Sequence, residues 1–139
     1  MRNNIVLDTN TIISALLFPS SIVGKAFDKA RRHFQIVASE KTWAEVNIVV
    51  HRPKFDKYVI LNARLLFLED LHRSLIFIEP TEIITDCRDP KDNKFLELAI
   101  ASDAPFIVTG NADLLVLNPY RGVTILKSGD FLALELPEY

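Results

Sequence analysis

The sequence predicts an α/β fold in three layers, with helices on both faces of a five-stranded, mostly parallel central sheet. Five short apolar runs, at 4–8, 34–38, 75–78, 106–109 and 123–126, have the length and composition of strands. Segments with apolar residues at helical spacing separate them, and strands alternating with helices argue a parallel sheet between helical layers. The chain has 139 residues and no linker that would divide it. One domain over 1–139 is therefore expected, with its core over about 3–131.

Each element has a local reason. Asn4-Ile5-Val6-Leu7-Asp8 is an apolar run that stops at an acid, the pattern of a buried strand reaching the rim of a sheet. Thr9 or Asn10 can cap a helix over Thr11–Leu17, ended by Pro19 and the serines after it. Ser20 or Ser21 caps a second helix with Ile22, Val23, Ala26, Phe27 and Ala30 on its apolar stripe. Its other side carries Lys25, Lys29, Arg31 and Arg32. After the strand Phe34–Ala38, Ser39 starts a third helix to about Val50, and His51-Arg52-Pro53-Lys54 interrupts its pattern. Tyr58 to about Arg73 reads as a longer helix, with Leu61, Leu65, Leu68 and Leu71 at helical spacing. Leu75–Ile78 is a short strand closed by Glu79-Pro80, and residues 81–90 form a polar connection ending in Asp89-Pro90. A helix to about Ser102, a strand at Phe106–Thr109 and a short helix over Asn111–Leu117 follow. A strand at Val123–Leu126 and a helical turn or two from Ser128 complete the chain.

Bulk properties exclude several classes. Net charge is −2 and the pI about 5.9, so no overall basic field announces nucleic-acid binding. The charge is unevenly spread: residues 1–57 hold 9 Lys/Arg against 5 Asp/Glu, and residues 58–139 hold 7 against 13. That asymmetry allows a basic face beside an acidic one. A lone cysteine, Cys87, rules out an intramolecular disulfide and a Cys-based zinc cluster, suits a reducing, cytoplasmic setting, and reads as a core filler. No stretch approaches the roughly 20 apolar residues of a membrane helix, and Asp8 and Asn10 would break the apolar region of a signal peptide.

The acids carry the chemistry. In open parallel sheets ligands bind beyond the carboxyl ends of the strands, where strand order reverses. Asp8 ends the first strand; it also suits a helix cap, and the two roles are compatible. Glu45 lies one turn into the third helix, a position where glutamate is usually a solvated surface residue. Asp89-Pro90-Lys91-Asp92 is a good helix start by itself, with acids in a first turn that favours them. Asp92, however, shares a stripe with Leu96 and Ala99 at i, i+4 and i+7, so it faces the core side and overhangs the sheet rim. Thr109-Gly110-Asn111-Ala112-Asp113 follows the fourth strand: a hydroxyl at the strand end, a glycine for a sharp turn, then two more oxygen donors.

Asp8, Glu45, Asp92 and Asp113 are thus placed around one cavity. Two carboxylates about 5 Å apart repel by roughly 3 kcal/mol at an effective dielectric of about 20. Such a group takes up protons or binds a hard divalent cation. His33, His51 and His72 have no ligand-like spacing to the acids, and all-oxygen coordination favours Mg²⁺ or Mn²⁺ over zinc. A cation of that kind is the usual apparatus of phosphodiester hydrolysis.

At these residues the chain resembles a PIN domain. The resemblance rests on Ile5-Val6-Leu7-Asp8-Thr9-Asn10, on Ser39, Thr42, Glu45 and Val46, and on Arg52-Pro53-Lys54-Phe55. It continues through Asp89-Pro90-Lys91-Asp92-Asn93-Lys94-Phe95-Leu96-Glu97-Leu98-Ala99 and Ile107-Val108-Thr109-Gly110-Asn111-Ala112-Asp113-Leu114-Leu115. It runs to about Phe131 and is narrowest to the toxins of bacterial or archaeal toxin–antitoxin pairs. It implies a metal-dependent ribonuclease that cuts single-stranded RNA, with Mg²⁺ or Mn²⁺ held by Asp8, Glu45, Asp92 and Asp113. Thr9, Asn10 and Thr109 would support those ligands. A homodimer and a small antitoxin partner are implied as well. One departure stands out: this branch usually reads Thr-Gly-Asp-x-Asp after the fourth strand, and this chain has Asn111 at the first acidic place. Asparagine offers an oxygen without a charge, which leaves Asp113 as fourth acid or as a cap of the next helix, and one or two ions open.

Candidate RNA contacts are Lys25, Lys29, Arg31 and Arg32, or Arg52, Lys54 and Lys57; Arg52 and Lys54 are favoured because they follow the helix that carries Glu45. Trp43 has a face for a base, but Trp43, Val46 and Val50 at helical spacing suit a core anchor better. A non-catalytic, nucleic-acid- or partner-binding relative with a weakened metal site is the second reading, motivated by Asn111. A phosphatase using Asp8 as nucleophile ranks third, because such enzymes commonly place a second aspartate two residues later and this chain has Asn10.

Overall fold

A computed structural model describes residues 2–136. Five strands, β1 (Asn4–Leu7), β2 (Gln35–Ala38), β3 (Ile76–Phe77), β4 (Phe106–Val108) and β5 (Thr124–Leu126), form one sheet in the order β3-β2-β1-β4-β5. Every pairing is parallel, with Ile5 opposite Ile36 and Phe106, Leu7 opposite Val108, and Ile107 opposite Ile125. Among the described residues seven α-helices flank them: α1 (Thr9–Leu17), α2 (Ile22–His33), α3 (Glu40–Val49), α4 (Leu61–Ser74), α5 (Asn93–Ala101), α6 (Ala112–Leu115) and α7 (Ser128–Ala133).

Successive strand side chains point to opposite faces, and the core divides accordingly. Ile5, Leu7, Ile36, Val108 and Leu126 face a cluster built from α1, α2, α3, α4 and α7, including Ile13, Phe27, Val46, Leu71 and Phe131. Val6, Val37, Ile107 and Ile125 face a second cluster with Phe95, Leu96, Ala99 and Leu114 from α5 and α6. Three layers result, as the alternation of elements predicts. Cys87 is buried in the second cluster, the filler role expected of it. Among the described residues no single helix is long and apolar enough to cross a membrane.

Several boundaries differ from the sequence reading, each for a local reason. The first helix starts at Thr9, because Asp8 itself is the cap: its Oδ1 accepts from the Thr11 amide at 2.9 Å. The fourth helix starts at Leu61 and not Tyr58. Pro53–Phe55 form a 3-10 turn, and the amides of Tyr58 and Val59 fold back onto the Phe55 carbonyl, which spends that stretch on a turn. Pro90–Asp92 likewise form a 3-10 turn before α5 begins at Asn93. The third helix follows its signals closely: Ser39 caps it in a capping box with Thr42. Strand β3 is only two residues long and exposed, a short edge strand. Gly110 is not in the left-handed region, and a Cβ there would meet nothing within 4 Å, so the turn after β4 does not require glycine. Trp43 is half-buried against His72 and Phe77, an anchor and not an open face.

Candidate functional site

The strand order reverses at β1, which has β2 on one side and β4 on the other. The crevice beyond their carboxyl ends is the expected ligand position. Asp8 leaves the end of β1 and Thr109 the end of β4, stitched into the rim by Asp8 N to Val108 O at 3.3 Å and Thr109 N to Leu126 O at 3.0 Å. A cavity of about 240 Å³ opens above this point, lined by Asp8, Glu45, Asp92 and Asp113 together with Asn10, Arg52 and Asn111. The four acids singled out from sequence thus reach one cavity. They come from a strand end, the middle of α3, a 3-10 turn and the first turn of α6.

Each acid is held by a neighbour. Asp8 Oδ2 accepts from the Thr109 hydroxyl, while Oδ1 caps α1. Glu45 Oε1 accepts from the Thr9 hydroxyl, and Oε2 meets Lys94 Nζ at 3.0 Å. Asp92 Oδ2 accepts from Asn111 Nδ2 at 2.7 Å. Asp113 Oδ1 faces Arg88 Nε at 3.1 Å. Carboxylate oxygens carry two lone pairs each, so these bonds orient the acids and leave acceptor capacity toward the cavity.

Asn111 behaves differently from the oxygen donor anticipated for it. Its Oδ1 accepts from the Asp113 amide at 2.9 Å and caps α6, which leaves its NH₂ directed at Asp92. It works as a hydrogen-bond donor to an acid, and it, not Asp113, is the helix cap. The Thr9 and Thr109 hydroxyls donate to Glu45 and Asp8. Asn10 and Arg52 line the cavity, whereas Lys54 lies beyond it. Of the alternative cations on α2, Lys29 donates to the carbonyls of Phe131, Leu132 and Leu134 at the end of α7, and Arg31 and Arg32 pair with Asp70 and Asp28. All three thus already have partners within the chain.

Lys94 and Arg88 carry no signal of these pairings in the sequence. Lys94 sits two residues past Asp92 on a helix whose apolar stripe gives no hint that a lysine stem is half-buried against Glu45. No sequence signal would have paired them, since 49 residues separate them.

The electrostatics follow from burial. Asp8 is 5% exposed, and desolvation pushes its carboxyl above the usual range; hydrogen bonds from Thr109 and Thr11 pull the other way, and the charge of Glu45 adds to the rise. Asp92 is also raised, first by burial and then by Asp89, while Asn111, Lys94 and Lys91 oppose the shift. Burial thus disfavours the charged forms of Asp8 and Asp92 at a rim they share with Glu45 and Asp113. A larger cavity of about 500 Å³ lies elsewhere, between the start of α3 and the 79–84 loop, and is also acidic. Three of its four acids are already committed: Glu79 accepts from the Glu40 amide, Glu97 from the Ile84 amide, and Glu82 pairs with Arg121. Size alone does not make that cavity the site.

Oxygen donors only, carboxylates raised by burial and room for water fit a hard cation such as Mg²⁺ or Mn²⁺, which keeps several waters and takes few carboxylates directly. Among the described residues no three of these acids already stand close enough to share one ion, so a bound ion would take some of them through water.

Fold and site together define a three-layer α/β protein with an all-oxygen acidic centre at the switch point of a parallel sheet. The chain belongs to the PIN-domain family, whose model matches residues 4–113. An uncharacterized protein of Methanocaldococcus jannaschii is 36% identical over 120 residues, 84% of this chain and 76% of that protein. Two solved structures share the fold. VapBC2 from Rickettsia felis, bound to a DNA fragment from their promoter, superimposes with a TM-score of 0.60 at 16% identity, covering 89% of this chain and 98% of that one. PAE2754 from Pyrobaculum aerophilum gives 0.61 at 15% identity, covering 94% and 87%.

Proposed function

We propose that this protein is a Mg²⁺- or Mn²⁺-dependent endoribonuclease that cuts single-stranded RNA and serves as the toxin of a toxin–antitoxin pair. The observation that carries the reading is the convergence of Asp8, Glu45, Asp92 and Asp113 on one cavity at the switch point, with no histidine or cysteine among its lining residues. Membership of the PIN family supports a nuclease. The Rickettsia felis neighbour, a VapBC2 assembly on DNA from their promoter, supports an antitoxin partner.

A divalent ion there would supply Lewis acidity toward a water and the leaving oxygen. Asp8, fixed from both sides by Thr109 and Thr11, and Asp92, fixed by Asn111, would be its principal holders. Glu45, oriented by Thr9 and Lys94, stands at the rim to orient water and accept its proton. Arg52 lines the same cavity and offers a cation to the substrate phosphate.

Cleavage of a fluorogenic single-stranded RNA with Mg²⁺, and again with EDTA, tests this. Asp92→Asn is expected to lose metal-dependent cleavage by at least 100-fold while remaining folded by circular dichroism. Undiminished cleavage by the purified variant would sink the mechanism. The second reading, a binding protein with a weakened site, draws on Asn111 spending its oxygen on the α6 cap and on the pairing of Asp113 with Arg88. A Mn²⁺ titration by calorimetry separates the two, since the weakened site takes up no ion.

A further inference from the structure

We propose that a groove beside the acidic cavity is a stacking subsite for a base of single-stranded nucleic acid, one that holds the strand leading into the cleavage site. The inference rests on the nuclease reading and adds to it where the substrate lies. The groove, of about 350 Å³, runs between α1 and the 52–58 segment, and Asn10 and Arg52 line both it and the acidic cavity, so the two are continuous. Its walls are Phe18, Phe55 and Tyr58, with Lys54 and Lys57 at the rim.

Two features select nucleic acid as the occupant. Phe18 and Tyr58 are 44% and 51% exposed, and they are locked edge to face with centroids 5.0 Å apart at 71°. Large rings held that way and left uncovered form a rigid platform for a π-face. The second feature is charge. Among the described residues Arg52, Lys54 and Lys57 form no ion pair with a carboxylate, and the one acid in the segment, Asp56, is turned onto Arg64. Lys54 Nζ lies 5.2 Å from the Phe55 centroid and Lys57 Nζ 5.1 Å from that of Tyr58, so cation and ring lie side by side. In a chain of net charge −2, three unpaired cations beside exposed aromatics and an acidic cavity match a polyanion with bases. Stacking reads no base edge, so the subsite should accept any base.

The test measures binding without cleavage, by anisotropy of a fluorescein-labelled single-stranded uridine 12-mer in EDTA, for the full chain. Tyr58→Ala is expected to weaken binding roughly 5- to 160-fold, the range for one lost base stack, and Tyr58→Phe to restore it. The exposed Lys54→Gln/Lys57→Gln double variant should lower the salt slope by about 1.4, two phosphate contacts at about 0.7 each, whether or not Tyr58→Ala folds. An abasic 12-mer should bind wild type and Tyr58→Ala alike. Unchanged affinity in Tyr58→Ala with an unchanged slope in the double variant would overturn the proposal and leave the groove to a protein partner. If Asp92→Asn abolishes cleavage while these variants bind normally, the subsite alone is wrong. If the groove variants lose binding while Asp92→Asn still cuts, the nuclease mechanism alone is wrong.

Discussion

Asp8→Asn separates the structural role of Asp8 from its electrostatic one. Asparagine caps helices as well as aspartate does, so the Thr11 amide keeps its acceptor and α1 keeps its start. The Thr109 hydroxyl oxygen can accept from the new amide with a spare lone pair. What disappears is a charge that is 5% exposed and raised by desolvation. Relief of that desolvation is of the order of 1–3 kcal/mol. In metal-free buffer at neutral pH the variant should therefore melt at or above the wild-type temperature, by about 3 °C per kcal/mol for a chain of this length. Mg²⁺ reverses the order. At 100 times its dissociation constant a ligand of the folded state adds about 2.7 kcal/mol, a rise of roughly 8 °C for wild type. The variant should gain less than a third of that. Thermal melts followed by circular dichroism, with EDTA and with MgCl₂, give all four values. A variant several degrees less stable in EDTA, or one that keeps the full Mg²⁺ shift, would refute the assignment of Asp8 as a buried, metal-seeking charge.

Other expectations follow from the same geometry. Asp8 and Asp92 both have raised carboxyls in the folded state, so the fold binds protons more tightly than the unfolded chain. Without metal their ionisation lowers stability as pH rises through the raised values, and the cost vanishes below the ordinary aspartate range. The difference in melting temperature between the Asp8→Asn/Asp92→Asn double variant and wild type in EDTA should shrink as pH falls from neutral; a constant gap would contradict it. Arg64→Ala should cost about 3 kcal/mol in urea unfolding. The buried guanidinium donates to the carbonyls of Val50 and Val59 at 2.9 and 2.5 Å, and both would be orphaned. Lys94→Gln should tighten Mg²⁺ binding by calorimetry, because it removes a fixed cation 3.0 Å from Glu45. Weaker binding would show that Lys94 organises the site instead.

The parts of this site that were legible in the sequence are those set by local periodicity. Asp8 announces itself because an apolar strand stops at it. Asp92 does so because it continues the stripe of Leu96 and Ala99, and it is 5% exposed as that stripe demands. Glu45 is the least legible of the acids by its own position, since one turn into a helix looks the same on a wet face. What stayed hidden depends on contacts between distant segments. Strand order, which puts β4 beside β1, is not written in any one run. The Asn111 amide serves Asp92 because α6 takes its oxygen, a choice visible only once both turns are in place. Tyr58, where the sequence predicts the start of the fourth helix, is instead the exposed end of a turn, edge to face with Phe18 across the groove.

The position a metal takes is the most direct test of the acidic cavity as the site. Crystals soaked in MnCl₂ and measured for anomalous scattering should show a peak in the cavity bounded by Asp8, Glu45, Asp92 and Asp113. Asp8 or Asp92 should be in its coordination shell, with water completing it. A peak only in the larger acidic cavity near Glu79 and Glu97, or none at a concentration that supports cleavage, would contradict it.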